Sequence, residues 1–237
     1  MSRLSQQLNR LLLKTGLKQP KALTKFPAER ATVSNVGRMI ILGNAPMQMD
    51  MSDYIDSSDL VVRFNECQNY GMGTGHKTDI LCINNFGQPA EEWVKYKTIS
   101  KLPFINQVSE IWFPRTESIL EHRKTVPDRH FDQLRFRDLS ADLIASNHLA
   151  NKSIVRFSDT LNAEVLSALK RLSSEEFREP STGILAIAHV LTAPTYSKLQ
   201  KVILGFTFEG WKGHPWAGER ALVESYATND NTLHLEP

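Results

Sequence analysis

Residues 71–84 read GMGTGHKTDILCIN, and which element follows the glycines decides the fold. Gly75-His76-Lys77-Thr78 differs from the end of a phosphate-binding G-x-x-x-x-G-K-[ST] loop by one inserted histidine. Such a loop works because a helix follows it and turns free amide N–H groups toward the phosphate. Here Asp79-Ile-Leu-Cys-Ile-Asn84 follows, a short, apolar, β-branched run that predicts a strand. A glycine loop that enters a strand has no helix terminus behind it, so a nucleotidase of the P-loop type is set aside.

The neighbouring segments repeat the pattern. Arg38–Leu42, Leu60–Phe64, Glu110–Phe113, Ser153–Phe157 and Lys201–Leu204 are further short apolar runs. Helical periodicity separates them, at Met47–Ile55, Thr116–His122, Ser140–His148, Leu161–Phe177, Ile184–Leu191 and Gly218–Tyr226. Continuous apolar strands alternating with helices predict an α/β fold, with a mainly parallel sheet covered on both faces. Ligands bind such sheets beyond the carboxyl ends of the strands. The loops at Gly43-Asn44, Asn65, Asn84 and Gly205-Phe206 therefore share a rim, with Arg63 at the end of the second strand. Amide side chains there suit a nucleobase edge or ribose hydroxyls, since they donate and accept without charge; turn-forming asparagines fit the same spacing. Ser181-Thr182-Gly183 after Pro180 reads either as an anion-binding helix start or as an ordinary N-cap. His214, with Glu219 five residues on, is a candidate general base with a carboxylate to orient it or raise its basicity.

The chain of 237 residues is 41% hydrophobic with a formal net charge of +2, enough for one domain over residues 31–237. The charge is uneven: residues 1–30 carry seven Lys or Arg against Glu29 alone. Leu4, Leu8, Leu11 and Leu12 make that segment an amphipathic helix in prospect. It is either a peripheral contact to an anionic membrane through residues 1–25, or a helix docked on the core or a partly ordered basic tail. Its apolar runs are too short to span a bilayer. No basic patch with interleaved aromatics follows, so nucleic acid is not an expected partner. Cys67 and Cys82 lack metal or redox spacing and suggest a reducing, cytoplasmic setting, with inner-membrane association as a peripheral option. Asp50, Asp53, Asp56 and Asp59 recur every third residue, which caps and turns explain. No Asp-x-Asp pair ends a strand, so no metal clamp is expected.

Three stretches, in this order, resemble the sialyltransferases of glycosyltransferase family 29. "IILGNAP…IDSSDLVVRFNECQNYGMGTGHKTD" resembles the family's long donor motif, "EPSTGILAIAHVL" its small motif, and "GFTFEGWKGHPWAGE" its closing region with His-x-x-x-x-Glu. The resemblance implies a Rossmann-like, doubly wound variant of the GT-A-like sialyltransferase fold. It implies that Asn44 and Asn65 contact the CMP part of a CMP-sugar, that Ser181, Thr182 and Gly183 cradle its phosphate and cytidine with Gly205 close by, and that His214 deprotonates a glycan acceptor. The implied reaction is an inverting displacement without a metal or cofactor, using a sialic-acid-like or Kdo-like donor to modify a bacterial surface glycan such as lipopolysaccharide or capsule. The chain departs from the family in two places. No cysteine pair links the long and small motifs, and Phe208–Lys212 holds no second histidine for the leaving phosphate; Lys212, the Ser181 helix start and Arg63 are the candidate substitutes. A CMP-binding module without catalysis and an unrelated Rossmann-type nucleotide enzyme remain the alternatives.

Overall fold

Period-two alternation in the apolar runs sorts side chains to opposite faces of a sheet, and the computed structural model shows this partition. It describes residues 23–26, 36–126, 136–229 and 233–235. Strands β1 (Arg38–Leu42), β2 (Leu60–Phe64), β3 (Ile80–Cys82), β4 (Glu110–Phe113), β5 (Ser153–Arg156), β6 (Gln200–Leu204) and β7 (Leu233–Leu235) form one sheet, in the order β5-β4-β3-β2-β1-β6-β7. Every pairing is parallel, with Ile40 opposite Val61 on one side and Val202 on the other. Met39, Ile41, Val62, Phe64, Ile80, Cys82 and Trp112 face one core layer. Their neighbours Ile40, Leu42, Val61, Leu81, Ile111 and Phe113 face the other.

Helices cover both faces. α1 (Ser52–Asp56), α2 (Gly87–Tyr96) and α4 (Ser140–Ser146) lie with the second layer; α3 (Glu117–Thr125), α5 (Asp159–Leu172), α6 (Thr182–Thr192) and α7 (Trp216–Asn229) lie with the first. α6 is buried from Thr182 to Ala188, because it is packed between the sheet and the helices α5 and α7. That accounts for a sequence apolar on every side rather than along one stripe. Ser158 and Ser181 cap α5 and α6 by accepting from Leu161 N and Ile184 N.

The six expected strands are present, and one α-helix and one strand go beyond the expectation. α2 was not anticipated: its segment GQPAEEWVKY opens on Gly87 with φ +73 and carries Pro89, both of which read as breakers. β7 is three residues long and pairs parallel to β6. The stretch from Met47 to Ile55, expected as a helix or turn, holds a helix at Ser52–Asp56. The basic segment at residues 1–30 lies outside the described residues except for 23–26, where Phe26 N donates to Asp50 O. Among the described residues no helix is long and apolar enough to cross a membrane.

The glycine loop explains its own likeness to a phosphate loop. Gly71, Gly73 and Gly75 all take positive φ (73, 76 and 64°), and the amides of His76 and Lys77 turn inward. They meet a carboxylate of the chain itself: Asp56 Oδ1 accepts from both at 2.8 Å. Arg63, 1% exposed, closes the other side by donating to Lys77 O, Thr74 O and Gly75 O and to Thr74 Oγ1. The expectation that Arg63 binds the donor or replaces the missing histidine is thereby corrected. All of its donors but one hydrogen are engaged in holding the loop that feeds β3. The aspartates recurring every third residue do comparable local work: Asp50 accepts from Ser52 N and Asp59 from Arg38 N.

At the switch point between β1 and β6 the two strand ends close on each other. Gly43 N donates to Leu204 O (2.8 Å) and Ala45 N to Gly205 O (3.0 Å). A Cβ on Gly43 would overlap the Gly205 carbonyl. Both atoms belong to backbone that is tied into the sheet, so neither can yield. Gly43→Ala is expected to cost about 3 kcal/mol or more in urea unfolding; a loss below about 1 kcal/mol would contradict this packing.

Candidate active site

Beyond the carboxyl ends of β1 to β4 lies a cavity of about 650 Å³, within the range of nucleotide and cofactor sites. Its floor is made of strand-end amides. Asn44 Nδ2 reaches Phe64 O at 3.4 Å. Asn65, in the left-handed region (φ 55°) that asparagine tolerates, accepts from Asn84 N at 2.9 Å. All three border the cavity.

The electrostatic centre is Arg115. It follows Pro114 at the end of β4, and Asn85 fixes its backbone by accepting from Arg115 N and donating to Arg115 O. The side chain, 4% exposed, donates from Nη1 to Asn84 Oδ1 and Thr182 Oγ1, both at 2.8 Å. Its Nη2 reaches Pro180 O (3.2 Å) and Glu179 Oε1 (3.4 Å). Arg115 thus ties the β3 end of the cavity to the start of α6. Arg123, whose Nε lies 3.8 Å from Glu179 Oε2, and Arg178 add positive charge to the wall, while Glu66 and Glu179 are its acidic residues.

His214 borders the same cavity. Its Nδ1 lies 2.8 Å from Glu179 O. A carbonyl only accepts, so Nδ1 carries the proton and Nε2 is left as the basic atom. Burial, together with the charge of Arg115, pushes the imidazole down to about 4 despite the bond to Glu179 O. The ring is therefore neutral at physiological pH, as a proton acceptor must be.

Of the residues singled out from sequence, the structure brings Asn44, Asn65, Asn84, Thr182 and His214 to this cavity. The others are drawn elsewhere. Glu219 does not touch His214: it is 1% exposed and accepts from Ser181 N (2.7 Å) and Ser181 Oγ (2.6 Å). A carboxylate of the chain already occupies the helix start, so Ser181 is a cap held by Glu219 rather than a phosphate cradle. Gly183 admits the ring of Phe206, which a Cβ there would meet at 2.6 Å. Phe206 packs edge-on to Phe64, and Gly43 and Gly205 lie against each other. Lys212 is exposed and is not among the cavity walls. Arg115, Arg123, Arg178 and Glu179 were missed. Arg115 stands two residues past Phe113, on the same strand-end rim as the asparagines. Arg178-Glu179 directly precedes the Pro180-Ser181-Thr182-Gly183 motif, while nothing in the sequence around Arg123 marks it.

Burial pushes the Glu219 carboxyl up to about 7, against the hydrogen bonds from Ser181 and the charge of Arg115. With the folded value above the ordinary 4.5, the stability linked to this group is fully present below about pH 4.5 and is lost as pH rises through 7. Glu219→Gln keeps an acceptor for Ser181 without the titration. Its stability relative to wild type is expected to rise from pH 5 to pH 8 in urea unfolding; a constant difference would show that Glu219 does not titrate there.

Among the described residues no group of three or more His, Cys, Asp or Glu is placed to hold a metal ion. No family model matches the chain. Among solved structures it is similar to a mammalian sialyltransferase, with a TM-score of 0.50 and 16% identity over 90% of this chain and 73% of that one. A mammalian sialyltransferase in complex with Gal-beta-1-3GalNAc-ortho-nitrophenol gives a TM-score of 0.49, also at 16% identity, over 95% and 83%. The parallel sheet with its strand-end cavity thus belongs to the Rossmann-like fold class of the sialyltransferases. Sequence similarity then specifies the family. The chain is 30% identical over 210 residues to the urease operon 23 kDa accessory protein of Rhizobium meliloti (strain 1021), covering 85% of this chain and 94% of that protein, and it belongs to that protein's family.

Proposed function

We propose that this chain is an inverting glycosyltransferase that uses a CMP-activated acidic sugar, of the sialic acid or Kdo type, to modify a surface glycan such as lipopolysaccharide or capsule. The observation that carries the reading is the pairing of His214 with the arginines. A neutral imidazole, held through Nδ1, faces a cavity whose walls hold Arg115, Arg123 and Arg178. In this reading Asn44, Asn65 and Asn84 meet the cytidine, and Thr182 lies at the phosphate. His214 Nε2 takes the proton of the acceptor hydroxyl as that oxygen attacks the anomeric carbon, and CMP departs with its bonding pair. The guanidinium charges offset the charge developing on the phosphate, so no metal is called for. Residues 1–25 would keep the enzyme at the inner surface of the cytoplasmic membrane, beside a lipid-linked acceptor.

The sequence likeness to a protein named for a urease operon carries no chemistry of its own into this cavity, and none of the site residues is explained by it. The test is a thermal-shift comparison of CMP, CDP, UDP, ATP and NAD, followed by CMP release from CMP-sialic acid and CMP-Kdo with glycan acceptors. A selective CMP shift with donor turnover is expected. A larger shift with ATP or NAD would instead place the chain among other Rossmann-type nucleotide enzymes. CMP binding without turnover of either donor would favour a module that has lost catalysis, the reading motivated by the missing second histidine.

A further inference from the structure

The loop after β6 holds an exposed indole in one fixed place. Trp211 is 46% exposed, whereas Trp93 and Trp112 are buried, and it borders the cavity. Its carbonyl accepts from His214 N (3.2 Å) and from Trp216 Nε1 (3.0 Å). A Cβ on Gly213 would overlap three adjacent atoms of the six-membered ring, so that ring lies face-on over Gly213. Gly213 O in turn accepts from Arg178 N (2.8 Å) and Glu179 N (3.2 Å), and Glu179 O receives the proton on His214 Nδ1. The Arg178 guanidinium stands 5.9 Å from the indole centroid. Indole and imidazole are therefore parts of one tied unit, with centroids 4.8 Å apart and planes at 81°.

A large ring fixed at the cavity edge and 46% exposed leaves apolar surface there that a ligand can cover. We propose that Trp211 is the platform on which a ring of the acceptor sugar stacks, an assignment that rests on the glycosyltransferase reading of the cavity. A general base works within hydrogen-bond reach of the hydroxyl it deprotonates. An aromatic ring one side-chain width from that base lies beneath the sugar that bears the hydroxyl. Pyranose rings present a face of C–H groups with the hydroxyls at the edge, which matches an aromatic face beside a polar base. The cytosine of the donor is the other planar candidate. It is better matched by the amides at the strand ends, which satisfy its edge, than by an indole beside Arg178 and His214. The platform is preorganised by Gly213, so little ordering accompanies acceptor binding.

The experiment uses the full chain with CMP-sialic acid and CMP-Kdo as donors and a panel of nitrophenyl mono- and disaccharide glycosides as acceptor probes. Saturation-transfer NMR with CMP present reads acceptor binding directly. Trp211→Ala is expected to raise the acceptor KM about tenfold and to abolish saturation transfer, with the CMP thermal shift kept. Trp211→Phe should recover most of the affinity. Gly213→Ala, which displaces the ring, should reproduce the acceptor defect. An unchanged acceptor KM in Trp211→Ala overturns the assignment, as does a parallel loss of the CMP shift, which would move Trp211 to the donor. So does a wild type that binds CMP but shows saturation transfer to no glycoside in the panel. A wild type with no CMP shift at all strikes the donor reading itself, and the two failures are thereby told apart.

Discussion

His214→Ala is expected to lower kcat by a factor of about 10² to 10⁴, the usual contribution of a positioned general base, while the CMP thermal shift persists. The imidazole has both a position at the cavity and a protonation state that suit proton abstraction. Nδ1 is committed to Glu179 O, and burial keeps the ring neutral down to about pH 4. The pH profile separates this role from a structural one. A base pushed down to about 4 stays active as pH falls through the ordinary histidine range, and is lost only as pH approaches 4. Donor turnover in the wild type should therefore hold between pH 7 and pH 5.5. An acid limb centred near 6.5, or full activity in His214→Ala, would remove His214 as the base.

Arg115→Met is expected to produce the largest loss of stability, about 3 to 5 kcal/mol by urea unfolding, together with loss of the CMP shift. Arg115 donates to Asn84, Thr182, Pro180 and Glu179 from inside the protein. Methionine fills much of the volume but leaves Thr182 Oγ1 and Pro180 O without this donor, Asn84 Oδ1 with Phe86 N, and Glu179 with the more distant Arg123. Arg115→Lys should restore little, since an ammonium cannot fork to partners on two elements. Where the variant folds, the acid limb of activity should move to higher pH, because the positive charge of Arg115 helps to hold the His214 imidazole down. A stable Arg115→Met protein that binds CMP normally would show that Arg115 organises neither half of the cavity.

The two residues differ in how far the sequence announced them. His214 stands in a motif, on a loop directly after a strand, with a glycine and an aromatic on each side. Arg115 carried only its position after β4, where a buried arginine and an exposed one read alike until burial is known. Glu219 shows the opposite failure. Five residues from His214, it was expected to orient the ring, but α7 carries it under the start of α6, where Ser181 claims both oxygens. Separation along the chain sets which residues can be near each other, not which way a helix turns them. Gly183 and the glycine loop are similar cases. Glycine signals a close approach of something, and here the approaching groups are the Phe206 ring and the Asp56 carboxylate rather than a ligand.

By itself, the sequence determined the parallel α/β architecture, six of its strands and the strand-end location of the site. These follow from local periodicity and from the rule that parallel strands share one carboxyl-end rim. It also determined that GMGTGHKTD leads into a strand, because the residues after the glycines are apolar and β-branched. Tertiary structure alone decided which polar groups reach the cavity. Arg63 is engaged by the glycine loop and the helix start at Ser181 by Glu219, whereas Asn44, Asn65, Asn84, Thr182, Arg115 and His214 converge on the cavity. The physical reason is that a buried polar group must find a partner, and the nearest one in space can come from anywhere in the chain.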